Sequence, residues 1–338
     1  MLLDSLQRPL HDLRISVTDR CNFRCNYCMP KHIFKPGYKF LNRSELLSFE
    51  EIEQIARVFV GLGVEKIRLT GGEPLIRRDL ENLVAMLAAI PNLKDLSLTT
   101  NASLLTLDRA IALREAGLKR VNISLDAIDD PTFKALNDMN FPVGKVLTGI
   151  GAALEAGFES VKVNMVVQKG VNDHSILPMV EHFRNSKVIL RFIEYMDVGN
   201  ANGWQLSDVF TAQQTLDLIQ TQYPVEAIGA NYLGEVAKRW KVVDSSESKL
   251  EIGLISSVSQ TFCHECSRAR LSAIGQIYTC LFAGEGQDIR SILREAKSPD
   301  DLRNAVSALW QKRKDRYSEE RASNKGSSQK VEMSYIGG

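Results

Sequence analysis

The chain has 338 residues, 44% hydrophobic and 25% charged, ordinary values for a globular protein long enough to bury a large core. Its 42 basic and 41 acidic side chains leave a formal net charge of +1, which excludes nucleic-acid binding driven by bulk charge and a polyacidic tail. No apolar run approaches membrane-spanning length, and MLLDSLQRPLHDLR has Asp4 early and no signal-peptide core, so neither a membrane span nor a secretory signal is expected. In chain order, β-rich runs at 13–18, 66–71, 96–100, 121–126, 161–167 and 188–196 alternate with helical patterns at 48–63, 79–90, 106–117, 143–157 and 174–185. The first helix has Ile52, Ile55, Ala56 and Phe59 on one face and opens on Ser48 and Glu51 at capping-box spacing. Gly63, Gly117 and Gly157 stand where helices end.

Strand–helix repetition predicts right-handed βαβ units and a parallel sheet. About six units fall short of a closed eight-stranded barrel, so the expected fold is α/β: an open, partial (β/α)6 barrel with its site at the C-terminal strand ends. No GxGxxG follows the first strand, which argues against a doubly wound dinucleotide fold. Beyond Gly199 the pattern changes to a loop (200–204), a helix (211–222), strand-like pieces (235–243, 250–256, 268–275, 276–282) and helices near 288–296 and 299–316. This is a C-terminal α+β extension. Three regions are expected: 1–199, 200–322, and a mobile tail, 323–338, whose SNKGSSQK is polar.

All six cysteines fall in two groups, Cys21, Cys25 and Cys28, then Cys263, Cys266 and Cys280. Core cysteines would scatter, and a disulfide scaffold would be a much shorter secreted chain. Structural zinc closes four ligands and iron–sulfur clusters commonly take four cysteines. Three thiolates per cluster would leave one iron open for chemistry. Gly71-Gly72-Glu73-Pro74 follows the second strand. Its glycines let the backbone approach a ligand, and Glu73 is a candidate partner for an ammonium group. Arg14, Arg68 and Lys162 each interrupt an otherwise apolar strand, where an unpaired charge is costly. Arg268 and Arg270 share one face of a strand, and arginine suits phosphate through its planar fork.

The spacing Cys-x3-Cys-x2-Cys with Tyr27 before the last cysteine, followed by GGEP, resembles the radical S-adenosylmethionine (SAM) superfamily. Over nearly the whole chain the sequence is similar to the GTP 3',8-cyclase family of molybdenum cofactor biosynthesis. RISVTDRCNFRCNYCMP, IRLTGGEPLIRRDL, LTTNA, NISLDA, KVNMVVQKGVND, RFIEYMDVG, FCHECSRARLSAIGQIYTCLF and the terminal Gly-Gly carry the likeness. Two departures are Ala102, where the family motif has Gly, and Ser267, where it often has Asn; neither removes a ligand.

The resemblance implies two [4Fe-4S] clusters, one on Cys21, Cys25 and Cys28 in the radical SAM barrel and one on Cys263, Cys266 and Cys280 in the extension. It implies that Tyr27, Gly72, Ser124 and Met196 hold SAM, and that Arg14, Arg68, Thr99, Lys162, Arg268, Ala269 and Arg270 hold GTP, with Lys66 and Arg191 as further candidates. Gly337 and Gly338 would reach into the site. The implied reaction cleaves SAM to methionine and a 5'-deoxyadenosyl radical, which takes hydrogen from C3' of GTP; the sugar carbon then bonds C8, giving 3',8-cyclo-7,8-dihydro-GTP. The implied next enzyme is cyclic pyranopterin monophosphate synthase, and a low-potential donor such as a flavodoxin system is required. A cytoplasmic location is expected, with no nucleic-acid or membrane partner, and a homodimer is left open. The alternatives are a radical SAM peptide or protein maturase with an auxiliary cluster, and a non-enzymatic zinc-binding module with His264 as a fourth ligand.

Overall fold

The computed structural model describes residues 2–231, 234–243, 250–296, 298–321 and 329–337. Its first half alternates β1 (Asp12–Ser16), α1 (Phe49–Gly61), β2 (Lys66–Thr70), α2 (Leu80–Ala88), β3 (Asp95–Thr100), α3 (Leu107–Glu115) and β4 (Arg120–Ser124). Then come α4 (Asp130–Asn137), α5 (Val143–Ala156), β5 (Ser160–Val167), α6 (Ile176–Phe183) and β6 (Val188–Glu194). The capping box at Ser48 and Glu51 forms as expected and fixes the start of α1. The helix α4 has its own start signal, Asp129 capping Thr132 N at 2.8 Å ahead of Pro131, which periodicity alone does not detect in so short an element.

The remainder supplies α7 (Ala212–Gln220), β7 (Val225–Ile228), β8 (Lys238–Val242), β9 (Glu251–Ile255), β10 (Arg268–Leu271), β11 (Gln276–Tyr278) and β12 (Gln287–Asp288). Helices α8 (Arg290–Glu295), α9 (Pro299–Gln311), α10 (Tyr317–Glu320) and α11 (Met333–Ile336) follow. All strands join one sheet in the order β12-β11-β10-β1-β2-β3-β4-β5-β6-β9-β8-β7. The six N-terminal strands are parallel, as the sequence predicts. The parallel set nevertheless runs to eight, because β10 pairs parallel with β1 and β9 pairs parallel with β6. Antiparallel hairpins finish both edges. The extension therefore builds both flanks of the barrel sheet, a long-range pairing that local pattern does not encode.

The two faces of the strands differ in chemistry. Leu13, Ile15, Ile67, Leu69, Leu96, Leu98, Val121, Ile123, Val161 and Val163 point outward and are at most 2% exposed, packed with the helices into the main core. The alternate positions are polar or charged: Arg14, Ser16, Arg68, Thr70, Ser97, Thr99, Asn122, Ser124, Lys162, Asn164 and Arg191. A closed barrel of this class fills its centre with branched apolar side chains. Here the inner face is built for a polar ligand. No helix among the described residues is long and apolar enough to cross a membrane.

Part of the expected mobile tail needs correction, and the rest of it, 323–328, lies outside the described residues. Residues 329–337 are docked: Ile336 is fully buried and Ser334 nearly so. Lys330 Nζ reaches Asp197 Oδ2 at 2.8 Å, and Asn200 N donates to Glu332 Oε1 at 3.0 Å. Met333, Tyr335 and Ile336 give this segment the apolar content that a solvated end lacks. Gly338 lies outside the described residues.

Candidate active site at the open end of the barrel

The first cysteine group forms the loop after β1. Cys28 N and Met29 N both donate to Cys25 O, at 2.9 and 2.8 Å, which curls the loop around its own thiols. Arg24 Nη1 holds Cys21 O at 2.8 Å, and Arg24 N and Asn26 N tie the loop to Asn137 O and Leu136 O at the end of α4. Asn101 Nδ2 stands 3.9 Å from Cys21 Sγ. Burial, then Glu73, pushes the Cys21 thiol up to about 12. Burial, then Asp126 and the neighbouring thiols, pushes Cys25 well up. Cys28 rises through burial and Cys21. Three thiols carried on one short loop suit a cluster better than a four-ligand tetrahedral ion. Among the described residues no three His, Cys, Asp or Glu side chains close around a single ion.

The β2 loop lies against this group. Gly71 has φ 147°, and Gly72 N donates to Thr18 O at 2.8 Å; a Cβ on either glycine would run into the backbone of Thr18 or Arg20. Glu73 is already held by its neighbours on three of its carboxylate acceptor sites. It is 1% exposed and accepts from Thr100 Oγ1 at 2.6 Å, Leu75 N at 3.0 Å and Asn101 N at 2.7 Å. Its work is to bind the β2 and β3 loops together. Ala102 follows with φ 55°, in the left-handed region that favours glycine, which explains why glycine is the usual residue there. Its methyl faces Gly149, where an added Cβ would come within 3.1 Å.

The remaining residues expected at SAM ring the same mouth. Tyr27 Oη donates to Asp126 Oδ2 at 2.8 Å, and Val166 N donates to Asp126 Oδ1 at 2.9 Å. Burial raises Asp126 to about 6 against these two hydrogen bonds. Ser124 ends β4, and Met196 follows β6 with its carbonyl accepting from Asn202 Nδ2 at 3.1 Å.

Along the inner face the register aligns cations. Arg14 lies directly between Arg270 on one neighbouring strand and Arg68 on the other. Burial, then Arg270, Arg68 and Arg268, drives the Arg14 pKa well below its ordinary value. Lys162, 6% exposed, is brought down to about 7 by burial and then by Arg191 and Arg120. Among the described residues the buried Thr99 Oγ1 and Asn164 Oδ1 have no hydrogen-bond partner. Ala269 differs from its neighbours: it is fully buried with its methyl in the outer core, so its side chain does not face the lumen.

The second cysteine group lies just before β10. Arg268 Nη2 donates to Cys266 Sγ at 3.3 Å. Burial would raise the Cys266 thiol, but Arg268 and Arg313 outweigh it and bring it to about 6. Cys280, dominated by burial, rises to about 11. His264 is no fourth metal ligand here: its ring is 66% exposed, with Nδ1 3.4 Å from Glu319. From the tail, the Gly337 carbonyl accepts from Arg270 Nη1, and Gly337, at φ 77°, packs on Thr70 where a Cβ would overlap.

Comparison with known proteins matches the Radical SAM superfamily over residues 15–183 and Molybdenum Cofactor Synthesis C over residues 188–319. The GTP 3',8-cyclases of Acidothermus cellulolyticus and Staphylococcus haemolyticus are each 49% identical over 99% of this chain and 98% of their own. The chain belongs to the GTP 3',8-cyclase family. The fold is also that of SuiB of Streptococcus suis, crystallised with S-adenosylmethionine, with a TM-score of 0.61 over 89% of this chain and 68% of that one at 16% identity.

Within this cyclase family frame, the structure adds residues that sequence reading passes over. Arg120, on the inner face of β4, carries the same signal as Arg14, a charge inside a strand, but is paired bidentately with Asp95. Asn164 faces the lumen two positions beyond Lys162. Asp4 and Arg8, four residues apart, meet the distant Arg313 only in the fold. Glu73→Ala should strand Thr100 and Asn101 N, each lost buried hydrogen bond costing about 1–3 kcal/mol. Chemical denaturation should show the loss, whereas unchanged stability would remove Glu73 from its loop-binding role.

Proposed function

We propose that this chain binds SAM and GTP in the polar barrel and converts them to 3',8-cyclo-7,8-dihydro-GTP, 5'-deoxyadenosine and methionine in molybdenum cofactor biosynthesis. The observation that carries the reading is the Arg270–Arg14–Arg68 row, which needs a polyanion, set beneath a three-thiol loop at the same strand ends. A [4Fe-4S] cluster on Cys21, Cys25 and Cys28 would supply the electron that cleaves SAM to the hydrogen-abstracting 5'-deoxyadenosyl radical. The protein's part is to hold the reactants dry and aligned. Gly71 and Gly72 let the β2 loop pack backbone-to-backbone on the cysteine loop, while Gly72, Tyr27, Ser124 and Met196 would line the SAM side. Arg14, Arg68, Lys162, Arg268 and Arg270 would neutralise the triphosphate, and Thr99 and Asn164 would meet polar atoms of the nucleotide. A second cluster on Cys263, Cys266 and Cys280 would sit beside GTP, with Gly337 and Gly338 closing the site. The alternating lumen also favours a small anionic nucleotide over a peptide substrate. A reduced compartment suits six free thiols, so we place the enzyme in the cytoplasm, upstream of cyclic pyranopterin monophosphate synthase and dependent on a low-potential donor.

Anaerobically reconstituted Cys25→Ala should make no 5'-deoxyadenosine from SAM and dithionite while keeping about half of the parent iron. Production at the parent rate ends the proposal.

Lys162 gives a pH signature. In the free protein its pKa is about 7, and an adjacent triphosphate favours the charged form, so binding raises it. GTP binding at pH 8, where phosphate is already ionised, should take up protons, and affinity should fall as pH rises from 7 to 9. Calorimetry in buffers of different ionisation enthalpy measures the uptake, most of which Lys162→Met should remove.

Gly337→Ala should expel the tail from Thr70, since neither the space nor φ 77° admits a Cβ. Iron content and GTP affinity should stay near the parent values while product yield falls at least tenfold; equal yield would leave the tail without a part in the reaction.

A further inference from the structure

A buried cluster behind the second cysteine loop has no part in the chemistry above. Asp4 and Arg8, from the N-terminal segment, meet Arg313, which follows α9. The side chains of Arg8 and Arg313 are 1% exposed and that of Asp4 is fully buried. Arg8 Nε donates to Asp4 Oδ2 at 2.6 Å, and its Nη1 donates to Cys263 O at 2.8 Å. Arg313 Nη1 donates to Cys266 O at 2.6 Å, and Nη2 donates to Cys266 Sγ at 3.2 Å. Asp4 Oδ2 lies 3.4 Å and Asp315 Oδ2 3.5 Å from Arg313, and the guanidinium stacks 4.5 Å from the Trp310 ring. Trp310 Nε1 is in turn held by Arg8 O at 3.2 Å.

Burying two guanidinium groups is expensive unless each donor is satisfied. A solvent-facing lysine would stabilise the surface at less cost, so the donors that Arg313 aims at Cys266 demand an account. Cys266 Sγ receives guanidinium donors from two sides: Arg268 from the lumen and Arg313 from the rear. Among the described residues no side chain donates in this way to Cys263 or Cys280. Hydrogen bonds to ligating sulphur withdraw electron density from an iron–sulfur cluster and favour its reduced state, raising its potential.

We propose that Arg313 is a positioning residue for the second cluster, fixing Cys266 through its carbonyl and raising the cluster's reduction potential through its sulphur. The inference rests on the two-cluster reading. It gives the N-terminal segment a task as well: Asp4 offsets the buried charge of the two guanidinium groups, and Arg8 and Arg313 clamp the backbone of Cys263 and Cys266 from behind the barrel.

The test uses the full chain with Cys21, Cys25 and Cys28 changed to Ala, so that only the second cluster can form. Arg313→Lys keeps a charge at the site but cannot reach both the carbonyl and the sulphur. Arg313→Gln removes the charge and keeps a single amide donor. Asp4→Asn disturbs the same buried cluster while leaving the Arg313 donors. Iron per chain and the midpoint potential, followed by electron paramagnetic resonance during redox titration, are read on each. About four irons are expected in the parent. The Arg313→Lys potential should fall by at least a tenfold change in the reduction equilibrium, about 59 mV for one electron. Asp4→Asn should lose stability with its midpoint near the parent value. Should Arg313→Lys lose iron, Arg313→Gln carries the same expected fall. A parent without iron overturns the two-cluster reading, and with it the inference. Iron retained at an unchanged midpoint in both Arg313 variants overturns the inference alone.

Discussion

Like charges held side by side in a low-dielectric lumen are the constraint on which the rest of this structure depends. Arg270, Arg14 and Arg68 occupy one register line across three parallel strands, so the spacing of their backbones is set by strand spacing. Repulsion of this kind is large where water is sparse. The fold withstands it because the same strands carry a continuous apolar outer face, from Leu13 and Ile15 round to Val161 and Val163. The energy that makes the barrel comes from outside it, and the inside is left free to be strained. A polyanion relieves the strain that the sheet imposes, which is how a binding site can be selective for phosphate without moving.

The same logic explains why the C-terminal extension cannot be a separate module. Pairing β10 with β1 brings Arg268 beside Asp12 and Arg270 beside Arg14. One short strand therefore completes the cationic row and anchors the second cysteine loop. The cysteines just before it are clamped from the rear by Arg8 and Arg313, which come from opposite ends of the sequence. Cationic row, second cysteine loop and chain ends are thus mechanically one piece. A change in any of them reaches the others through a few strand residues.

Much of this was legible in the sequence because it appears as a violation of pattern. Arg14, Arg68 and Lys162 are charges where an outward-packed strand should be apolar, and two cysteine triplets are clustered where core cysteines would scatter. The parallel βα order was equally readable from periodicity. What escaped has physical reasons. The parallel pairing of β9 and β10 depends on tertiary contacts and leaves no local mark. The part Glu73 plays in joining two loops could not be read either, because its bonds to Thr100 and Asn101 at the end of β3 form only in the fold. Asp4, Arg8 and Arg313 are unremarkable residues singly and acquire meaning by converging. The tail's docking turned on a few apolar residues after a polar stretch, too little pattern to separate from a frayed end.

Those few tail residues bear on how the cationic row is managed before substrate arrives. Arg270 is 3% exposed and flanked by Arg14, and its own pKa is lowered to about 9 by burial and then by Arg268. Its partner in the free chain is the carbonyl of Gly337, a neutral oxygen. A carbonyl satisfies a guanidinium donor without discharging the row, so the row keeps its attraction for an anion. A carboxylate side chain at the same point would have neutralised Arg270 and competed with the substrate for it. Glycine is thus suited to this position in two ways: it fits against Thr70 at a backbone angle other residues resist, and it presents only a dipole where a charge would be self-defeating.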